Sequence, residues 1–374
     1  TQNIIYIFDK LGNLEWFNES FSSLLGLPSF DKEQETINIR DISFNADIDE
    51  IINRCIIDKS AVSYDSVVLT KTGENKWYQT TLTPILNEKG DLEKLIAIDT
   101  DITTLKDYEK TVEDQKKRVE GQKKEITDSI RYARRIQESV LPAQENISKF
   151  LRDNFIIYLP KDIVSGDFYW YHKIEEKHII IAVDCTGHGV PGAMMSMLGI
   201  SFLNDISRRK EVNKPSLILS ELRNQVKTSL KQTGKRDEAR DGMDMAFCEI
   251  NTETNILQYA GANNSLLLFR NNEMFEYKAD RQPVSIYFKE KEFTDHQIQL
   301  QKGDRIYMFS DGFMDQISMD ERKKFSSHGL KTTLEEVHQK PMQEQKQILE
   351  NVINDWMGEV SNQVDDILIM GIEI

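Results

Sequence analysis

Aspartates stand at the ends of apolar runs through the second half of this chain. They fall in Ser165-Gly166-Asp167, Asp184-Cys185-Thr186-Gly187-His188-Gly189, Ser310-Asp311-Gly312 and Asp365-Asp366. Three of these motifs adjoin short β-branched, apolar runs, 179–183, 306–309 and 367–370, which read as buried strands. Acidic groups at the ends of central strands cluster in space. Two carboxylates about 4 Å apart repel by about 4 kcal/mol at an effective dielectric of about 20. Protons or cations must neutralise such a group, and hard oxygen donors favour Mg²⁺ or Mn²⁺ over Zn²⁺. The pattern points to a metal site built from aspartates. Each motif also has a plainer reading. Gly-Asp and Asp-Gly are ordinary turn signals, so Asp311-Gly312 alone would be a turn, and Asp365-Asp366 alone would only flank a strand. Asp184 stands apart, because it follows an apolar run and precedes a glycine-rich loop. Asp241-Gly242-Met243-Asp244 precedes a further strand; Asp244 either lies near the site without an assigned role or belongs to a surface loop entering that strand, the second reading being favoured.

Size and charge narrow the possibilities. At 374 residues, more than one domain is expected. Hydrophobic residues make up 39%, enough for cores, and the formal net charge is −15. That balance argues against nucleic acid as the main partner, because phosphate backbones need a basic surface. Phosphoprotein substrates remain open, since bound cations reverse the local sign. Cys55, Cys185 and Cys248 are far apart and form no CxxC pattern, which fits a reducing, cytoplasmic setting. No apolar stretch approaches the length of a membrane span, so no membrane contact is expected of this segment. The chain opens with Thr1 and runs at once into apolar sequence, so further sequence upstream is expected, with a sensor or membrane segment there left open. A cysteine phosphatase would need Cys-x5-Arg. The sixth residues after the cysteines are instead Ala61, Pro191 and Thr254. No P-loop occurs, and residues 105–141 hold no histidine for a histidine kinase to phosphorylate.

Three segments differ in pattern. Residues 1–104 read as two strands, short helices closing at Gly26 and Pro28, then three alternating strands separated by turns at Lys71-Thr72-Gly73 and Glu88-Lys89-Gly90. Trp16, Phe17, Phe21, Trp77 and Tyr78 read as core. Residues 105–141 lack proline, and Leu105, Val112, Val119, Ile126, Ala133 and Val140 recur every seventh residue. Tyr108, Gln115, Gln122, Ser129 and Ile136 fill the matching second positions, so the pattern predicts a coiled coil with a weak, partly polar seam. Residues 142–374 alternate strand-like runs with helices expected at 191–209, 215–232 and 343–357, and Met194, Met197 and Leu198 read as core.

Two families are recognisable in these residues. Phe8-Asp9, Gly12, Trp16-Phe17-Asn18-Glu19-Ser20-Phe21 and Ile98-Asp99-Thr100-Asp101-Ile102-Thr103 resemble the opening and close of a PAS domain, covering 1–104. That segment has no histidine for haem, and Cys55 lacks the flavin-adduct motif. The PAS ligand stays unassigned, and a relay module without cofactor is the plainer reading. From about Leu141 to Ile374, the run 162–170, Val183-Asp184-Cys185-Thr186-Gly187-His188-Gly189, Tyr259-Ala260-Gly261-Ala262-Asn263-Asn264, Ser310-Asp311-Gly312 and Gln363-Val364-Asp365-Asp366 resemble the SpoIIE-like branch of the metal-dependent protein phosphatases (PPM, protein phosphatase 2C-like). The expected fold class is α+β multidomain: a PAS sensor (1–104), a coiled-coil linker (105–141) and a phosphatase domain (142–374) with a PPM-type α/β/β/α sandwich.

The second resemblance implies two Mn²⁺ or Mg²⁺ ions at one end of the sandwich. Asp184 would bridge them, the Cys185 backbone carbonyl would ligate one, Asp311 and Asp365 would complete the coordination of the second ion, and Asp167 would hold the first ion, directly or through water. Asp366 would support rather than ligate. Trp170 stands where some members carry a further aspartate. His188 would protonate the leaving oxygen, orient a water or merely shape the turn. The activity implied is hydrolysis of phosphoserine or phosphothreonine on a signalling protein such as an anti-sigma-factor antagonist. The enzyme would be a homodimer paired through the PAS domain and coiled coil, with the helices near 130–151 passing on the signal. The rival is an inactive pseudo-phosphatase that senses or scaffolds.

Overall fold

The structure, a computed structural model, describes residues 3–25, 37–42, 47–70, 73–143, 147–149, 151, 153–208, 214–235, 238, 240–318, 322–358 and 363–374. The expected helix stop at Gly26 and Pro28, and Lys71 and Thr72 of the expected turn, lie outside these residues. The chain divides into two compact units, Thr1–Lys124 and Glu125–Ile374. No helix among the described residues is long and apolar enough to cross a membrane.

The first unit is a five-stranded antiparallel sheet in the order β2-β1-β5-β4-β3. Its strands are β1 (Ile4–Asp9), β2 (Leu14–Phe17), β3 (Val62–Leu69), β4 (Asn75–Leu86) and β5 (Leu92–Asp101), with helices α1 (Glu19–Leu25), α2 (Ile39–Ile42) and α3 (Ile48–Asp58) between β2 and β3. Asp9 builds the first hairpin, its Oδ1 accepting the Leu11 and Asn13 N–H groups at 2.8 Å each. Period-two alternation buries Ile4, Tyr6 and Phe8 of β1 and Leu95, Ala97 and Asp99 of β5 on one face, against Phe21, Ile39, Ile48 and Ile52. Phe21 and Tyr78 are core as expected. Trp16 and Trp77 are not, at 50% and 36% exposure. Both lie on the opposite side of the strand alternation, and aromatic content alone does not show which face is covered.

Helix α4 (Thr103–Val140) follows β5 directly. Asp101 caps it, its Oδ1 taking the Thr103 N–H at 3.0 Å. Leu105, Val112, Val119 and Ile126 of the heptad series are exposed along it, and Gln137 is its only buried residue among those described.

The second unit is a four-layer sandwich. One sheet has the order β13-β10-β9-β8-β7 and the other β12-β11-β14-β15-β6. The first comprises β7 (Phe168–Ile174), β8 (Lys177–Cys185), β9 (Met243–Asn251), β10 (Ile256–Ala262) and β13 (His296–Gln299). The second comprises β6 (Asn154–Leu159), β11 (Leu266–Arg270), β12 (Glu273–Tyr277), β14 (Arg305–Phe309) and β15 (Ile367–Glu373). Strand β8 shows why its run is apolar throughout. Ile180 and Ala182 face the other sheet, meeting Leu268, Met308 and Leu368. Ile179, Ile181 and Val183 face helices α5 (Gly189–Ser207) and α6 (Pro215–Ser229), meeting Leu203, Leu219 and Leu222. The second sheet is covered likewise by α8 (Ser326–Val337) and α9 (Met342–Met357), which follow the short α7 (Gly312–Asp315). Strands buried on both faces carry no polar alternation. Strands β12 and β13 escaped the sequence reading because each is a short edge strand without a sustained apolar run. Met194 departs from expectation. It is 68% exposed, and with Met197 and Leu198 it lines a groove against Ala133 and Ile136 of α4.

The first unit buries one carboxyl. Tyr6 Oη stands 3.1 Å from both oxygens of Asp99. Burial pushes this group up to about 6, against the pull of hydrogen bonds from Thr80 and Tyr6. The folded state therefore holds the proton more tightly than the unfolded chain, and stability falls as pH rises from about 4 to about 6. Above that window the whole penalty, on the order of 3 kcal/mol, is present. Asp99→Asn is expected to stabilise this unit at about pH 7.5 and to flatten its pH profile below about pH 6 in urea titrations. An unaltered profile would contradict this account.

Candidate metal centre

Antiparallel pairing brings the aspartates together. In such a sheet the end of one strand lies beside the start of the next. Asp167 precedes β7, Asp184 ends β8 and Asp244 opens β9, with Asp184 and Asp244 direct cross-strand partners. In the facing sheet Asp311 follows β14, and Asp365-Asp366 precedes β15, its antiparallel neighbour. The five strands thus deliver acidic groups to one end of the sandwich.

Their electrostatics show the convergence. Burial, then the charges of Asp311, Asp244 and Asp365, pushes Asp184 up to about 9. Asp167 is raised well above the carboxylate range by burial and then by Asp184, Asp366 and Asp365. Asp311 is raised mainly by burial. Asp244 is pushed up to about 6 by burial, a hydrogen bond from Asn263 opposing. Among the described residues no three acidic, histidine or cysteine side chains already stand in coordinating position. The donor set nevertheless fits hard divalent cations, because it is all oxygen and its members otherwise need protons to coexist.

A frame of hydrogen bonds sets these groups. Ser310 Oγ donates to Asp167 Oδ2 at 2.6 Å and accepts the Leu368 N–H at 3.0 Å, tying β7 to both central strands of the facing sheet. Asp366 takes the Lys161 N–H on Oδ1 and the Gly166 N–H on Oδ2, both at 2.7 Å. Thr186 and Gly242 bond reciprocally, fixing the loop after β8 to the entry of β9. Backbone crowds backbone here. A Cβ on Gly166 would strike the Gly187 carbonyl, and one on Gly312 would strike the Asp366 carbonyl. The Cys185 carbonyl faces the same crowding, 3.4 Å from the position of a Gly166 Cβ.

Several expectations need adjustment. Asp244 is no surface-loop residue, because its pairing with Asp184 sets it in the cluster. Its signal was an aspartate at the start of the strand that pairs with the Asp184 strand, a relation that needs the topology. Trp170 points away, into the helix-covered core, with Nε1 donating to Asn204 Oδ1 at 3.1 Å. Gln137 was not anticipated. Its Nε2 donates to the Ser165 carbonyl at 2.6 Å and to Ser196 Oγ at 2.8 Å, and its Oε1 accepts the Ser165 N–H at 3.1 Å. Helix α4 thereby grips the loop that carries Asp167.

The family model for stage II sporulation protein E (SpoIIE) matches residues 175–374, more than half of the chain. The chain belongs to the SpoIIE family. A PAS-domain model matches residues 2–104. The SiaA-PP2C domain of Pseudomonas aeruginosa is similar in structure, with a TM-score of 0.61 and 29% identity, covering 67% of this chain and 98% of that one. The C-terminal part of this SpoIIE-family chain thus has the PPM-type fold. Among curated proteins, the phosphoserine phosphatase RsbU of Bacillus subtilis is 27% identical over 194 residues, 50% of this chain and 54% of that protein. The phosphoserine phosphatase RsbP of the same organism is 24% identical over 191 residues, 50% and 45% of the respective chains. The chain spans about half the length of these curated relatives.

Gly312→Ala is expected to destabilise the second unit by about 3 kcal/mol, since rigid backbone rather than a movable side chain blocks the added methyl. Urea unfolding of the variant checks this, and a midpoint equal to wild type would show that the close approach at Asp366 is not required.

Proposed function

We propose that this chain is a PAS-regulated, metal-dependent protein phosphatase acting on phosphoserine or phosphothreonine. The observation that carries the reading is the convergence of Asp167, Asp184, Asp244, Asp311 and Asp365 at one end of a PPM-type sandwich. Likeness to proteins named phosphoserine phosphatases supports the reaction class. Two Mn²⁺ or Mg²⁺ ions would supply a hydroxide nucleophile near neutral pH and positive charge against the phosphoryl oxygens.

The residues divide the remaining work. Asp184, whose acidity is suppressed by acidic groups of both sheets, would bridge the ions, and the Cys185 carbonyl would ligate one of them. Asp311 and Asp365 would hold the second ion, and Asp167 the first. Ser310 occupies one oxygen of Asp167 and leaves Oδ1 for the ion or its water. Asp366 has both oxygens engaged by backbone N–H groups, which suits it to hold the Asp167 loop rather than to ligate. Both ring nitrogens of His188 are engaged as well, favouring a positioning role.

Regulation would run through α4. Its exposed seven-residue series supports pairing with a second copy. Its Gln137 amide is the link by which a change in that pairing would shift the Asp167 loop. The substrate class is a phosphorylated signalling protein of the anti-sigma-factor-antagonist kind, in the cytoplasm. The three domains are 1–104, 105–141 and 142–374.

Hydrolysis of a phosphoserine peptide is expected with Mn²⁺ and not with EDTA, and Asp184→Asn should lower kcat roughly a thousandfold. Gln137→Leu should weaken Mn²⁺ affinity or turnover roughly tenfold through lost loop contacts. Absence of Mn²⁺-dependent turnover in the wild-type chain would leave the scaffold reading in its place.

A further inference from the structure

One buried amide joins the two loops assigned to the second ion. Gln316 follows α7 directly, five residues after Asp311, and is fully buried. Its side-chain Nε2 donates to the Gly312 carbonyl at 2.8 Å and to the Asp365 carbonyl at 3.3 Å. Its Oε1 accepts the Val364 N–H at 3.0 Å. The fit is chemical as well as spatial. A peptide N–H only donates and a peptide carbonyl only accepts, so these three partners fix which way the amide faces. The position demands one acceptor and two donors on a single planar group, and glutamine supplies them. Every hydrogen-bonding valence of the amide N–H groups is spent on the backbone beside Asp311 or at Asp365.

Both ends of this link are braced. The Gln316 carbonyl accepts the Phe325 N–H at 2.9 Å and Trp356 Nε1 of α9 at 3.2 Å. The rings of Phe313, Phe325 and Trp356 meet edge to face in series, with centroids 5.1 and 5.2 Å apart. The Gln316 main chain therefore rests on the helix layer that covers the second sheet. On the far side, Gln363 Nε2 donates to the Leu159 and Asp365 carbonyls at 2.7 Å each. Asp365 Oδ1 accepts the Asp366 N–H at 2.9 Å, which orients that carboxylate. Repulsion is what the bracing works against. After burial, the charges of Asp315 and Asp365 raise Asp311, so an unbraced Asp365 loop would relax away from Asp311.

We propose that Gln316 is the positioning residue of the second ion: its amide sets the spacing of Asp311 and Asp365 in the metal-free protein and so sets the affinity of that ion. This rests on the metal-centre reading, and it assigns the preorganisation of one half of that centre to a single side chain. The ion then does not have to draw two repelling loops together. Groups that hold metal ligands in place change affinity by about 10- to 100-fold when removed. Two variants separate bonding from bulk. Gln316→Met keeps the length of the side chain and removes all three bonds. Gln316→Glu keeps the shape and the Val364 contact, and turns an oxygen against the Gly312 and Asp365 carbonyls.

Calorimetric titration of Mn²⁺ into the metal-free full chain tests this without turnover. Each variant is expected to weaken one of two binding events about tenfold and to leave the other within about twofold of wild type. In hydrolysis of p-nitrophenyl phosphate, the Mn²⁺ concentration giving half the maximal rate should rise about tenfold, while kcat at saturating Mn²⁺ returns to within about threefold of wild type. A merely structural glutamine would lower the urea midpoint and leave the Mn²⁺ affinity of the folded protein unchanged, and that result overturns the proposal. So does equal weakening of both events, or a kcat that excess Mn²⁺ does not restore. If neither variant folds, hydrogen exchange on the wild type decides. A Val364 N–H as protected in the metal-free protein as in the Mn²⁺-loaded one supports a preformed brace, and one that exchanges freely until Mn²⁺ is added overturns it. Wild type that binds Mn²⁺ but hydrolyses nothing refutes the phosphatase reading alone, and the calorimetry still decides the role of Gln316. Wild type that binds no Mn²⁺ refutes the metal centre and this proposal with it.

Discussion

Mutual repulsion among buried carboxylates is the constraint around which the second unit is organised. Asp167, Asp184 and Asp311 all have their acidity suppressed, first by burial and then by the charge of neighbouring aspartates. No fold would gather such groups for stability, since each must give up hydration and gains a like charge as neighbour. The arrangement makes sense when positive charge enters from outside. The layers of the sandwich supply the rigidity against which this repulsion is held. Strands β8 and β14 are apolar on both faces up to the residue where the aspartate appears, so the acidic ends cannot retreat without exposing Ile181, Val183, Met308 or Phe309.

Between the acidic groups and the apolar core lies a thin layer of small residues and backbone hydrogen bonds. Ser310 ties Asp167 to β15, Asp366 gathers the amides of Lys161 and Gly166, and Gly166 and Gly312 allow close backbone approaches. Gln137 joins the same layer from helix α4. The C-terminal end of α4 thus stands in hydrogen-bond contact with the Asp167 loop, both within the second unit.

Much of this was legible in the sequence, for reasons that differ by residue. Asp184 and Asp311 were visible because a doubly buried strand is an unbroken apolar run, and a charge at its end has to be explained. Both families were recognisable from ordered motifs. Asp244 was not, because its meaning comes from pairing with Asp184 across a connection of nearly 60 residues, and local sequence shows only a turn. Gln137 was hidden for a related reason. A glutamine in a polar helix looks solvated until its partners, Ser165 and Ser196, are brought to it by the fold. Trp16, Trp77 and Met194 erred the other way: their apolar character suggested a core, and the strand and helix faces they occupy are open.

Manganese anomalous diffraction from crystals grown with Mn²⁺ tests the central claim most directly. The account predicts two peaks at the Asp167–Asp184–Asp311–Asp365 end of the sandwich, with the Asp184 carboxylate reaching both. Folded protein with no anomalous density there, and with these side chains turned apart, would contradict it.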